Sequence, residues 1–204
     1  MTDPKTDQNS TPPPAGILSG IRNLVSQRVS IERLPDTKGQ LIFWVLLAGG
    51  LALDLWSKKA VFAWLYFDDS FTVIDGLLRL VPAVNNGAAF GICAGRPFFL
   101  AAASIVALLI VLAFFYLSGT RLRLVQAALG LLAAGICGNL YDRVFNDGLV
   151  RDFIDVYINA FGQERHWNTF NVADALLCIG GVGLLIIWTG FTGKSAQKRA
   201  QQHK

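Results

Sequence analysis

Charged residues are scarce in this chain of 204 residues. Asp, Glu, Lys and Arg make up 16% of it, whereas an average soluble domain contains about 25%. Residues of the AVILMFWYC set make up 53%. A disordered chain is excluded, because it would need low hydrophobicity and high charge. An ordinary soluble domain is disfavoured, because one small core cannot hide so many apolar side chains. The composition predicts a compact integral membrane protein.

Cysteine and histidine are also rare, with three and two residues. Cys137 and Cys178 fall within long apolar runs and Cys93 lies between two of them. We interpret all three as small apolar side chains rather than as a disulfide framework. The sequence contains neither an HExxH motif nor a CxxC pair, and His166 has no ligand partner at helical spacing. We therefore expect no metal.

The apolar residues are clustered in four runs. Three of the runs carry one charged residue or none, and each is close to the length of about 20 residues that a helix needs to cross a bilayer. The other run begins near Gln40 and continues past Asp54, Lys58 and Lys59, since a helix end at the interface can carry an acid and snorkelling lysines. We predict four transmembrane helices, at about 41–63, 98–117, 124–142 and 170–190.

The charges that flank these runs predict an orientation. The N-terminal segment, the loop between the second and third runs and the C-terminal tail together hold 11 basic and 4 acidic residues, whereas the other side holds 7 basic and 10 acidic ones. The positive-inside rule then places both termini in the cytoplasm and segments 66–97 and 142–169 outside it. The basic excess is thus an orientation signal, and we expect no nucleic-acid partner.

The chain divides into one membrane domain and two tails. Residues 1–37 are expected to form a partly disordered cytoplasmic tail, because this segment is polar and includes three consecutive prolines. Part of it, residues 17–34, is compatible with a short surface helix or with a linker, and the sequence leaves both open. Residues 38–191 form the predicted transmembrane domain, and residues 192–204 a basic cytoplasmic tail. We expect the protein to be a monomer.

Polar residues near membrane depth carry most of the functional information, because they are costly there. Asp174 lies about one turn into the last run, and Asn171 shares its helix face. Asp152 follows the third run and can approach Asp174 if its loop folds back over the membrane. Two carboxyl groups in a low-dielectric pocket share one proton. Such a pair can activate water and protonate a leaving group.

Each polar residue also has a structural interpretation. Asn171 suits a helix N-cap. Asp142 and the adjacent Arg143 suit an ion pair at a helix end, and Asp155 suits a solvated loop. A proton or cation carrier and a membrane scaffold held together by polar clusters are further alternatives. On these residues alone, a peptidase, a carrier and a scaffold all remain open.

Five elements occur in order along the predicted membrane domain. They are DLWSK at 54–58, NNGAAFG at 85–91, GNLYDRV at 138–144, VRDFIDV at 150–156 and FNVADA at 170–175. Together they resemble the prolipoprotein signal peptidase (signal peptidase II) family, and the likeness runs from about residue 40 to 190. Two positions depart from the family pattern: Ser57 stands where Thr is frequent, and Gly91 where Ser is common.

The resemblance implies an intramembrane aspartic endopeptidase of the bacterial cytoplasmic (inner) membrane. The family removes the signal peptide from diacylglyceryl-modified prolipoproteins and cuts just before the lipidated cysteine. Its partners are lipid-modified prolipoproteins and membrane lipids, and it needs no cofactor. Its site lies near the outer leaflet. Carried over by position, the catalytic dyad falls on Asp152 and Asp174. The implied supporting residues are Asn85, Gly87, Asn139, Asp142, Arg143, Asn171, Asp54 and Lys58.

The expected fold follows from the same likeness. It is an all-α membrane protein with four transmembrane helices, a small extracytoplasmic β-cradle and a short outer loop or helix over the active site. Residues 70–90 suit the cradle, because Phe71–Ile74 is a short β-rich run and Asp75-Gly76 is a turn signal. A loop within 145–168 is the candidate for this cover, and the sequence leaves open whether it closes over the site.

Overall fold

A computed structural model describes residues 34–67, 69–87, 93–161 and 163–202, with the backbone alone from residue 191 onward. Most of the predicted N-terminal tail therefore lies outside the described residues, as do the surface-helix segment before residue 34, the position of Gly91 and the last two residues. Within the described ranges the chain forms four helices and four strands. They are α1 (Thr37–Trp64), β1 (Phe71–Ile74), β2 (Leu78–Asn85), α2 (Pro97–Leu117), α3 (Arg123–Phe145), β3 (Val150–Ala160), β4 (Gln163–His166) and α4 (Val172–Gln202).

All four helices are long and apolar enough to cross a bilayer, α4 over Val172–Gly190. The prediction of four such helices is confirmed, and α1 passes through Asp54 and Lys58 without a break, as expected. α2 is the most apolar, with a mean hydropathy of 2.9, yet only Leu100, Val111 and Phe115 are buried in it. A helix that is apolar all round and mostly exposed is suited to contact with lipid.

α3 lies at the centre of the helices and packs against the other three. Small residues make this close packing possible. A methyl group at Gly138 would collide with the Asp54 carboxylate of α1 and with Ala173 of α4, and one at Gly135 would meet the backbone of Ala173. Glycine at these two positions therefore lets α1 and α4 approach α3 where the polar residues lie.

The strands form one antiparallel sheet in the order β1-β2-β3-β4. β1 and β2 connect α1 to α2, and β3 and β4 connect α3 to α4, so the sheet lies at a single end of the helices. The β1–β2 turn contains Gly76 with φ of 71°, which fits the predicted turn. In the β2–β3 ladder, Asn85 pairs with Val150 and Ala83 with Asp152.

Two expectations need correction. Residues 70–90 do contribute β1 and β2, but the loop or helix predicted within 145–168 is instead the 11-residue strand β3 followed by β4. The protein thus combines helices with a sheet and is not all-α. β3 went unrecognised because two of its buried positions hold Asp152 and Asp155, whereas apolar residues are usual at the buried positions of a strand. At the C-terminus α4 continues to Gln202, so most of the predicted tail is helical.

Candidate active site

Asp152 lies on β3 with its side chain turned inward, and only 3% of the residue is exposed. Its two carboxylate oxygens accept hydrogen bonds from two amide groups. Asn171 Nδ2 donates to Oδ1 at 2.6 Å, and Asn85 Nδ2 donates to Oδ2 at 3.1 Å. Because Asn85 ends β2 and Asn171 precedes α4, Asp152 joins the sheet to the last helix.

Asp174 lies in the first turn of α4. The Asp174 N–H donates to Asn171 Oδ1 at 2.9 Å, and the Asn171 N–H donates to Asp174 Oδ2 at 3.2 Å. This reciprocal pair caps the helix, so the N-cap interpretation of Asn171 is confirmed. The other oxygen, Asp174 Oδ1, accepts from Asn139 Nδ2 at 2.7 Å. The cap therefore holds Asp174 where α3 meets α4.

Three asparagines share one pattern around the two acids. In each, Nδ2 donates a hydrogen bond to a carboxylate, and the side-chain carbonyl oxygen accepts one from another donor. The carbonyl of Asn85 accepts from the Gly87 N–H at 2.9 Å, and that of Asn171 accepts from the Asp174 N–H. Since an amide can be placed only by its hydrogen-bond partners, these donors decide which end of each side chain faces the acids.

A charged network lies directly behind the two acids. The Lys58 ammonium contacts Asp54 at 2.8 Å and Asp142 at 3.2 Å, and all three side chains are fully buried. Asp142 also accepts from the Arg151 guanidinium at 2.6 Å. Asp54 and Lys58 are four residues apart and therefore share one face of α1. The predicted Asp142–Arg143 pair is wrong, because adjacent residues on a helix point in different directions.

Arg143 instead supports the loop after β2. Its guanidinium donates to the carbonyl of Gly87 at 3.1 Å and to that of Asn139 at 3.3 Å. Gly87 thus contributes only backbone groups, an N–H to Asn85 and a carbonyl to Arg143. The Arg143 Nε is buried and has no hydrogen-bond partner among the described residues.

A cavity of about 760 Å³ opens beside the acids. Asp152 and Asp174 both line it. Of the predicted supporting residues, four line it as well: Asn85, Gly87, Asn139 and Arg143. The other four are Asp54, Lys58, Asp142 and Asn171, which hold the lining residues from behind. Apolar side chains on β2, β3 and α4 complete the wall, among them Val84, Val150, Ala175 and Leu177.

Burial changes the acidity of the site. It raises the pKa of Asp152 from 3.8 to about 7, and the nearby negative charge of Asp174 acts in the same direction. The amide donors Asn85 and Asn171 oppose this rise without cancelling it. The carboxyl on β3 therefore keeps a proton at pH values where an exposed aspartate has lost it.

A second cluster was missed from the sequence. Asp155 is buried rather than solvated: it accepts from Arg79 at 2.7 Å and contacts His166 at 3.0 Å. Arg79 also reaches Glu164 at 3.3 Å, so the cluster ties β2, β3 and β4 together. This cluster could have been found only from the β2–β3 register, which pairs Arg79 with Asp155. In the described residues no group of three His, Cys, Asp or Glu side chains is placed to hold a metal.

Comparison with known proteins identifies the family. The family model described as signal peptidase (SPase) II matches residues 46–191. The chain belongs to the signal peptidase II family. This confirms the resemblance inferred from the five sequence elements. The matched region contains the complete sheet and all or most of each helix, and both acids lie within it.

Individual members of the family agree with this assignment. A lipoprotein signal peptidase of Rhodopirellula baltica is 37% identical over 166 residues, which are 74% of this chain and 73% of that protein. One from Geobacter sulfurreducens is 39% identical over 150 residues, covering 72% of this chain and 89% of its own. The family and the four apolar helices make the protein a multi-pass membrane protein.

Two solved structures share the fold. A bacterial membrane enzyme determined by the in meso method at 2.3 Å superposes with a TM-score of 0.68 and 31% identity, over 79% of this chain and 93% of its own. A second, determined at 1.9 Å, gives a TM-score of 0.63 and 32% identity, over 78% and 97%. The helices and the sheet of this chain therefore match an architecture already seen in membrane enzymes.

Proposed function

We propose that Asp152 and Asp174 form the catalytic dyad of an intramembrane aspartic endopeptidase. Membership of the signal peptidase II family makes the protein a protease that removes signal peptides from prolipoproteins. The observation that carries the dyad is that two carboxyl groups from separate elements line one cavity and are joined by Asn171. Such a pair shares a proton and can act as base and acid at once.

The proposed reaction is hydrolysis of one peptide bond. The ionised carboxyl takes a proton from a water molecule as that water attacks the scissile carbonyl carbon, and the protonated carboxyl donates to the carbonyl oxygen. The tetrahedral intermediate collapses when the nitrogen of the following residue receives the proton that the first carboxyl took from water and leaves as an amine. The other carboxyl recovers its proton from a hydroxyl of the intermediate as the new carboxyl group forms. The products are the signal peptide with a new carboxyl terminus and a mature chain with a free amino group.

The surroundings of the dyad suit a peptide substrate. Asn85 and Asn139 hold the acids at the cavity wall. The Nε–H of Arg143, which has no partner among the described residues, can donate to a substrate carbonyl. An unmet buried donor is costly, so a bound peptide would relieve that cost. These contacts support binding of the scissile segment between β2 and the start of α4.

The proposed substrate is a diacylglyceryl-modified prolipoprotein, cut just before its lipidated cysteine. The sheet end of the helices carries both acids. The distribution of charge along the sequence supports an orientation with that end outside the cytoplasm and both termini inside. A translocated precursor with an apolar signal helix and a lipid anchor would reach the cavity from the outer leaflet of the bacterial inner membrane. We propose that the protein does this as a monomer.

A carrier or channel is not favoured. Transport through the bilayer needs polar groups spread across its depth, whereas the described acids of this cluster lie at one end of the helices. The family match over residues 46–191 agrees.

A cleavage assay tests the proposal. Purified protein in detergent is incubated with a diacylglyceryl-modified prolipoprotein, and the product is resolved on a gel. We expect cleavage by the wild type and none by Asp152→Asn or Asp174→Asn, while Asp75→Asn, an exposed acid in the β1–β2 turn, cleaves normally. The unlipidated precursor should remain uncut. Normal turnover by either dyad variant would refute that residue's role.

A further inference from the structure

Two donors converge on one atom of Asn139. The Lys58 ammonium donates to Asn139 Oδ1 at 3.2 Å, and Asn171 Nδ2 donates to the same oxygen at 3.0 Å. Lys58 is fully buried and Asn139 almost so. An amide group has one acceptor end and one donor end. With both donors on one side, the end of Asn139 that faces Asp174 can only be the N–H₂ group.

This arrangement decides which end of the Asn139 amide faces the Asp174 carboxylate. Asn139 Nδ2 donates to Asp174 Oδ1, and an N–H donor stabilises the charged form of a carboxyl group. If the amide of Asn139 were turned over, its carbonyl oxygen would face the same carboxylate and repel it. Lys58 opposes that rotation, because a turned amide would place N–H₂ against the ammonium. The positive charge of Lys58 also acts directly on Asp152, whose pKa it lowers against the larger effect of burial.

We propose that Lys58 is a positioning residue that locks the amide of Asn139 and thereby keeps Asp174 the ionised member of the dyad. The proton of the resting dyad then belongs to Asp152. This inference rests on the proposed function of the two acids and extends it, because it separates their tasks: Asp174 takes the proton from water, and Asp152 donates to the substrate carbonyl.

The other groups around Asp174 are consistent with this assignment. The N-terminus of α4 favours a negative charge in its first turn, and the Arg143 guanidinium is near both dyad carboxyls. Asp152 is the opposing negative group. One proton on the dyad also balances the cluster, since it leaves three negative charges against three positive ones. Its acids are Asp54, Asp142, Asp152 and Asp174, and its cations are Lys58, Arg143 and Arg151.

Kinetics of Lys58→Met provide the first test. Fixing the amide of Asn139 affects the chemical step rather than substrate binding, because Lys58 does not line the cavity. We therefore expect kcat to fall by about 10- to 100-fold, the effect of losing a hydrogen bond to a charged group, with KM nearly unchanged. The acidic limb of the rate–pH profile should also shift, because the N–H donor that faces the base is no longer held in place. Lys59→Met removes the neighbouring exposed lysine and should change neither quantity.

Lys58→Met also leaves Asp54 and Asp142 without their shared cation, which endangers folding. The double variant Asp54→Asn/Lys58→Met keeps the net charge, and an asparagine at position 54 can still accept the Ala173 N–H that Asp54 accepts at 2.8 Å. It should show the same fall in kcat and the same shifted limb. An unchanged kcat and an unchanged limb in a folded variant, or a change confined to KM, would overturn the proposal.

Infrared spectroscopy tests the proton assignment without altering Lys58. Near neutral pH, Asp174→Asn labelled with ¹³C-aspartate should show the band of a protonated carboxyl from Asp152, and Asp152→Asn should lack it. The reverse pattern would overturn the assignment. The proposed function has a different refutation, which is cleavage of the lipidated precursor by either dyad variant. Loss of cleavage in both dyad variants with an unaffected Lys58→Met would refute only the locking role.

Discussion

Replacement of Asp152 by Asn should stabilise the fold in a pH-dependent way while abolishing cleavage. Below the usual pKa of 3.8, the carboxyl is protonated in both the folded and the unfolded chain and contributes nothing. Between 3.8 and about 7 the unfolded chain ionises while the folded one keeps its proton. Stability therefore falls as pH rises through this window, and the full cost remains above about pH 7. The amide side chain of the variant does not ionise and escapes that cost.

The magnitude follows from the same numbers. A pKa that rises from 3.8 to about 7 corresponds to about 4 kcal/mol of lost stability, at about 1.4 kcal/mol for each pKa unit. No reduction for solvent screening applies, because the residue is buried. The amide that replaces the carboxylate keeps one acceptor and so loses one of the bonds from Asn85 and Asn171, which costs about 1 kcal/mol. Relative to the wild type, the variant is then about 1 kcal/mol less stable at about pH 4 and about 3 kcal/mol more stable at about pH 8.

Unfolding followed by tryptophan fluorescence in detergent measures this difference. Wild type, Asp152→Asn and the exposed-acid control Asp75→Asn are compared at about pH 4 and about pH 8. We expect the stability of Asp152→Asn relative to wild type to grow between the two pH values, and that of Asp75→Asn to stay constant. A constant difference for Asp152→Asn, or a loss of stability at the higher pH, would refute the reasoning.

Three further outcomes are expected. Gly138→Ala should destabilise the protein by about 1–3 kcal/mol, because its methyl group would meet Asp54; Gly49→Ala, where nothing lies within 4 Å, should be neutral or slightly stabilising in the same thermal scan. Arg143→Lys should lower kcat/KM by about 10-fold or more, because lysine cannot keep the hydrogen bonds to the carbonyls of both Gly87 and Asn139. An unchanged kcat/KM would contradict the supporting role of Arg143. Cleavage should decline as pH rises through about 7, because the proposed dyad then loses its proton. A cleavage rate that still rises well above that pH would contradict a requirement for this proton.

The helices were predictable because their signal is local. A run of apolar residues long enough to cross a bilayer needs no partner to be recognised, and all four predicted runs are helices. The polar sites were also visible, since an acid such as Asp174 within an apolar run is rare. The order of five short elements was enough to indicate the family, which the comparisons confirm.

The sheet shows where this reasoning failed. β3 carries Asp152 and Asp155 at buried positions, and a pattern based on apolar alternation cannot detect a strand whose inward residues are charged. Burial of Asp155 depends on Arg79 and His166, which neighbouring strands bring to it. The erroneous Asp142–Arg143 pair has a similar origin, because neighbours in sequence were assumed to be neighbours in space.

By itself, then, the sequence determined the membrane class, the four helices and the family, and it indicated the residues of the candidate site. Only the tertiary structure decided how those residues face one another. Lys58 and Asn139 are 81 positions apart, as are Gly76 and the Tyr157 hydroxyl that accepts its N–H. Hydrophobicity along a chain is set by each residue's own chemistry, whereas a hydrogen bond exists only where packing brings a donor within about 3 Å of an acceptor.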